Sequence, residues 1–223
     1  TLVTMDVPGE IRRAFELFTA GRLSDAERVA RGVLSVSAEE PSACRVLAGV
    51  SLHRGELDDA VEWARRGYEI DTSVPEAAAN LASVLVASGQ GEEAERMARR
   101  AIELDAELVS GWVNLGLACR LRRRSHEAVD AFRRAVQLQP GHYGAWTNLG
   151  NVLTEVGEFA EAVECIRRAL SIRPGLSAAE TNLGNALLKL GRLDESIAAY
   201  QRSLVSCPGD IETEYNLGIA YEH

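Results

Sequence analysis

Five asparagines, Asn80, Asn114, Asn148, Asn182 and Asn216, stand 34 residues apart, and each is followed by leucine and then by alanine or glycine. The pentapeptide TNLGN occurs at 147–151 and again at 181–185. A period of this length admits few folds, because one period is a single supersecondary unit that cannot bury its apolar face alone. Successive units must stack, each completing the core of its neighbour.

Frames opened at residues 7, 41, 75, 109, 143, 177 and 211 align the rest of the chain. They give six complete repeats, 7–40, 41–74, 75–108, 109–142, 143–176 and 177–210, a partial seventh at 211–223, and a tail at 1–6. Position seven of the frame is leucine from the second repeat on, Leu47 to Leu217, and position eight is small throughout, from Ala14 to Gly218. Position fifteen is Gly21, Gly55, Gly89, Gly157 and Gly191; position twenty is alanine until Ser196. Within a frame, apolar residues recur at helical spacing for about fourteen residues, glycine interrupts, and a second periodic run follows. Pro140, Pro174 and Pro208 then stop the second run. The expected architecture is all-α, a solenoid of helix-turn-helix units with small residues at the closest approach of each pair.

The fifth frame carries Trp146, Leu149, Gly150, Leu153, Gly157, Ala162, Ala169 and Pro174. That pattern resembles the tetratricopeptide repeat family, and the resemblance runs over residues 7–223. It implies an α-α superhelix whose first helices line a concave groove. Departures are visible: Arg13 replaces leucine at position seven of the first frame, and Arg123 replaces the turn glycine of the fourth. The partial frame ends in Leu217, Gly218 and Tyr221, core types whose partner helix is absent. Together with the start at Thr1, this reads as an excised segment: either the polypeptide continues, or the open end packs on another copy.

At about 100° per residue, positions four, seven, eight and eleven of the first helix face its partner, and positions two, six, nine and thirteen face the opposite way. The five asparagines then lie on the exposed stripe, with Asn151 and Asn185 nearby. An amide column can hydrogen-bond the backbone of an extended peptide without reading its side chains, and the repeat arms of O-linked N-acetylglucosamine transferases, which these frames resemble, carry such a ladder. Asparagine at this position is also common across the family, so a generic consensus role stands beside the ladder. Glu76, Ser83, Ser110, Leu117, Leu121, Glu155, Lys189, Glu212 and Ile219 complete the stripe, mildly apolar near the fourth frame. Only Lys189 and Arg45 offer positive charge there, too little for the carboxylate clamp of chaperone-binding relatives.

Arg120, Arg122, Arg123 and Arg124 cluster at one turn, with His126 beside them. This is either a solvated turn or a contact for an acidic partner or phosphate, since arginine pairs with both in bidentate fashion. The net charge of −9 and the lack of a basic field argue against nucleic acid. No apolar stretch reaches the roughly 20 residues that span a bilayer. Cys44, Cys119, Cys165 and Cys207 lie at least 42 residues apart without histidine or cysteine at metal spacing, which reads as reduced packing residues of a cytoplasmic protein, with no metal or cofactor. Trp63, Trp112 and Trp146 read as packing, and the histidines recur with no catalytic partner. A single lysine against 23 arginines suggests a GC-rich, bacterial coding sequence.

The functional expectation is a non-enzymatic scaffold binding a protein or extended peptide in its groove. The alternative is the N-terminal recognition arm of a larger bacterial enzyme, such as a glycosyltransferase.

Overall fold

The computed structural model describes residues 5–222, and its regular structure is thirteen α-helices. The tail residues 1–4 and His223 lie outside the described residues. Two compact units are present, one ending at Arg122 and the other beginning at Arg123.

The first unit holds α1 (Val7–Thr19), α2 (Leu23–Val36), α3 (Pro41–Arg54), α4 (Leu57–Ile70), α5 (Pro75–Ala87), α6 (Gly91–Leu104) and α7 (Val109–Leu121). Short turns make hairpins of α1/α2, α3/α4 and α5/α6, while α1, α3, α5 and α7 also pack side by side in sequence. The second unit holds α8 (Ser125–Leu138), α9 (Tyr143–Val156), α10 (Phe159–Ile172), α11 (Ser177–Lys189), α12 (Leu193–Ser206) and α13 (Ile211–Glu222). Its hairpins are α9/α10 and α11/α12, with α9, α11 and α13 adjacent.

Local chemistry sets the helix ends. Pro41 and Pro75 open α3 and α5, where a missing N–H does no harm. Glu40 accepts the Ser42 N–H at 3.1 Å, and a ring nitrogen of His142 accepts the Ala145 N–H at 2.9 Å. Pro140, Pro174 and Pro208 each stand two residues past a second helix. The hairpin turns need a left-handed residue: Gly55 and Gly157 adopt φ 76° and 87°, and in the fourth repeat Arg123 takes φ 60°, the only non-glycine residue described with positive φ. The missing glycine therefore changes the side chain of the turn and keeps its backbone conformation.

The core follows the frame. Leu47, Leu81, Leu115, Leu149 and Leu183 are buried, and Ala26, Ala60, Ala94, Ala128, Ala162 and Ser196 are wholly so. Within a hairpin, position eight approaches position twenty-four. A Cβ on Gly150 would lie 2.4 Å from Ile166 Cγ1, and one on Gly184 the same distance from Tyr200 Cε1. In the second repeat the two positions are Ala48 and Ala64, which share one core cluster. A large residue in the second helix is thus accommodated by glycine in the first, and two alanines fill the same space by sharing it.

The seam of α11, α12 and α13 is polar, with Ser203 and Thr213 standing where most other repeats have alanine or glycine. The hydroxyl of Thr181 bonds those of Ser203 and Thr213 at 2.8 and 2.7 Å, and Thr213 in turn donates to Asp210. Beside it, Arg202 holds the nearly buried carboxylate of Glu180. On α13, Ile211, Tyr215 and Tyr221 are exposed, Gly218 is exposed and Leu217 half-buried.

Candidate functional site

The asparagine positions do not form a uniformly exposed stripe, as helical periodicity alone predicts. Asn114 is only 6% exposed, and Asn80, Asn148, Asn182 and Asn216 are half-buried. Adjacent first helices pack side by side, so position six points partly at the neighbouring repeat. A side-chain amide placed there must find a partner. Asn114 donates to the Ala79 carbonyl at 2.8 Å, Asn182 to Asn151 Oδ1 at 2.7 Å, and Asn216 to Asn185 Oδ1 at 3.1 Å. Asn185 Oδ1 also accepts the Tyr200 hydroxyl at 2.7 Å. These amides clasp one repeat to the next. Asn80 and Asn148 make no side-chain hydrogen bond among the described residues.

The remaining candidates scatter. Leu117 is half-buried, Leu121 is 46% exposed, and Lys189 is exposed as the last residue of α11. Arg45, exposed at the groove, lies over the Phe15 ring, its guanidinium carbon 4.4 Å from the centroid, and keeps its charge. The arginine run is largely engaged: Arg122 pairs with Glu95 at 2.5 Å, Arg124 pairs with Glu127, Arg120 has a partner, and Arg123 forms the turn. Arg122 and Arg124 thus spend part of their donors within the fold, with 38% of each side chain still exposed.

The first unit contains a feature that the sequence did not announce, a groove of about 590 Å³ formed by α1, α3 and α5 with the flank of α4. Its lining is mostly apolar, including Phe15, Phe18, Val46, Leu52 and Val84, and its polar groups are Ser42, Arg45, Glu76, Asn80 and Ser83. Gly49 matters to its shape, since a Cβ there would meet the Phe18 ring at 2.9 Å. His53 lies edge-on to the same ring at 5.2 Å between centroids. The signal for this groove was present in the frame as Phe15, Gly49 and Ser83, all at position nine. It was hidden because the first repeats match the pattern least well.

Two further devices recur. Trp112 donates its indole N–H to the Ala106 carbonyl at 2.8 Å, and Trp146 donates to the Pro140 carbonyl at 2.9 Å, so each ties the preceding inter-repeat loop to its first helix. On the second helices, Arg65 pairs with Glu93, Arg133 with Glu161 and Arg167 with Glu195, each across 28 residues. The arginine abundance thus has a structural use, readable as arginine at position twenty-five facing acid at position nineteen of the next frame. Hydrogen bonding to Arg65 holds the Glu93 carboxyl below its ordinary range. Arg31 and Arg54 do the same for Glu27.

Cys44, Cys119 and Cys165 are buried, and burial pushes the Cys165 thiol up to about 11. Cys207, at the C-terminal end of α12, is exposed and so is not the packing residue expected of it. No helix among the described residues is long and apolar enough to cross a membrane.

The fold has many relatives of known structure. The Cut9–Hcn1 hetero-tetramer of the APC/C matches with a TM-score of 0.87 at 16% identity, over 96% of this chain and 42% of that one. This chain therefore spans less than half of that neighbour. MamA matches at 0.62 and 23% identity, over 74% of this chain and 91% of its own. YrrB, described as a TPR protein with an unusual peptide-binding site, matches at 0.62 and 19% identity, covering 83% and 96%. No curated protein matches in sequence. Tetratricopeptide repeat models match residues 12–75 and 80–143, and another matches 142–204. With its paired helices, left-handed hairpin turns and 34-residue register, the chain belongs to the tetratricopeptide repeat family.

Proposed function

We propose that this chain is a non-catalytic binding module that holds an extended segment of a protein partner on the face made by its first helices. Tetratricopeptide repeats generally mediate protein–protein interaction, and the observation that carries the reading here is the groove of α1, α3 and α5. It offers about 590 Å³ of mostly apolar space beside the uncommitted amide of Asn80. Pockets of this size and character bind ligands through apolar contact with a few orienting polar groups. An extended backbone, with its unpaired N–H and C=O groups, is what a free amide serves.

Asn114, Asn182 and Asn216 use their donors between repeats, so the groove does not rely on a continuous asparagine ladder. The alternative, a recognition arm of a larger bacterial enzyme, rests on the resemblance of the frames to such arms.

A photo-crosslinking residue placed at Ser83, in the groove, or at Glu103, on α6, tests the function. Crosslinks that form from Ser83 alone and map to short contiguous partner segments are expected. Equal crosslinking from both positions would sink the proposal.

A further inference from the structure

The chemistry of the groove defines what it accepts. Resting on the proposal that the first-helix face binds extended segments, we infer that the first unit is the anchoring site. Its occupant is a segment of a partner protein with a large aliphatic or aromatic side chain set between an acidic and a basic residue about three positions apart.

Three observations lead there. The floor of the groove is apolar, with Val46, Leu52 and Val84 presented between the helices and Gly49 leaving the Phe18 ring as a wall. Burying one Leu or Phe side chain against such a surface is worth about 1.5–3 kcal/mol, enough to fix register. The charges of the lining balance, one cation on α3, Arg45, and one anion on α5, Glu76. A phosphate or an acidic tail would meet Glu76 unfavourably, whereas a segment carrying both signs satisfies both groups. Neighbouring helices pack about 8–10 Å apart, and an extended chain advances about 3.3 Å per residue. The two charges are therefore answered by residues about three apart, acid toward Arg45 and base toward Glu76. Asn80, one turn beyond Glu76 on α5 and half-buried without a partner, is placed to take the backbone between them. The other position-six amides of the first unit cannot duplicate this, since Asn114 is closed against Ala79 and position six of α3 is Val46.

The test is selection of a displayed library of random dodecapeptides on the whole chain. The wild type should enrich peptides with Leu, Phe, Trp or Met between an acid and a base at that spacing. Ser83→Trp, which fills the groove from an exposed position, should cut recovery of those peptides about tenfold or more, the effect of leaving one anchor side chain in water. The double reversal Arg45→Glu with Glu76→Arg should invert the preferred charge order. Circular dichroism confirms that both variants fold. If the enriched peptides lack an apolar anchor, or survive Ser83→Trp and the charge reversal unchanged, the anchoring site is wrong while peptide binding by the chain stands. If the wild type enriches nothing, both proposals fall.

Discussion

Arg123 and Asn114 show how far a single side chain departs from its repeat consensus and what the departure does. Arg123 holds the left-handed conformation that glycine holds in the other hairpin turns, at a steric cost of about 1–2 kcal/mol for an L-residue. Arg123→Gly removes that strain but frees the unfolded chain, which takes back about 0.4–1 kcal/mol. A net gain of about 0.5 kcal/mol is expected in urea unfolding, while Gly157→Ala, with φ 87° and nothing crowding its Cβ, should lose about 1 kcal/mol from strain alone. The asparagines divide in the same way. Asn114→Ala forfeits a buried hydrogen bond worth about 1–1.5 kcal/mol against a helix-propensity gain of roughly 0.6, so stability should fall. Asn80→Ala forfeits no bond and should gain the propensity term. Opposite signs for two residues at the same frame position, read by urea midpoint, would confirm that only one is a clasp. The sequence could not separate them, because periodicity gives the direction of a side chain but not the height of the neighbouring backbone.

At the scale of the helix, the sequence was most legible. Frames set by spacing alone open where each first helix opens, at Val7, Pro41, Pro75, Val109, Tyr143, Ser177 and Ile211. Small residues at positions eight and twenty mark the hairpin seams, and leucine at position seven fills them. The partner of position eight was not legible from that position alone. Gly184 faces Tyr200, whose ring is fully buried and whose hydroxyl is tied to Asn185, so it has no room to swing. Gly184→Ala should cost about 1–3 kcal/mol of overpacking against about 1 gained in helix propensity, a net loss. Gly218→Ala, on the exposed face of α13 with nothing within reach of a Cβ, should show the gain alone. Thermal unfolding of the two variants gives the comparison. The polar seam of Thr181, Ser203 and Thr213 also escaped the sequence reading, since lone hydroxyls in a helix look like surface residues until three meet.

At the scale of the molecule, the repeated surface pairs decide the response to pH. Glu27 and Glu93 are held below their ordinary range, chiefly by hydrogen bonds to Arg31 and Arg65, as Asp25 and Glu195 are by Arg28 and Arg192. A carboxyl lowered in the folded state stabilises fully above its unfolded value, near 4, and that contribution disappears as pH falls through the lowered value. The urea midpoint should hold steady from pH 7 to about 5 and then decline, with a shallower decline in Glu93→Gln and at high salt. Each pair is partly exposed and individually weak; the periodic arrangement is of greater interest. Because Arg65, Arg133 and Arg167 each reach an acid 28 residues on, removal of residues 143–176 as a block would set Arg133 at that same distance from Glu195. Such a deletion should fold with helicity per residue unchanged in circular dichroism, whereas a deletion half a period long should not. The number of repeats is therefore something that recombination can alter in whole steps, leaving no charge stranded at the join.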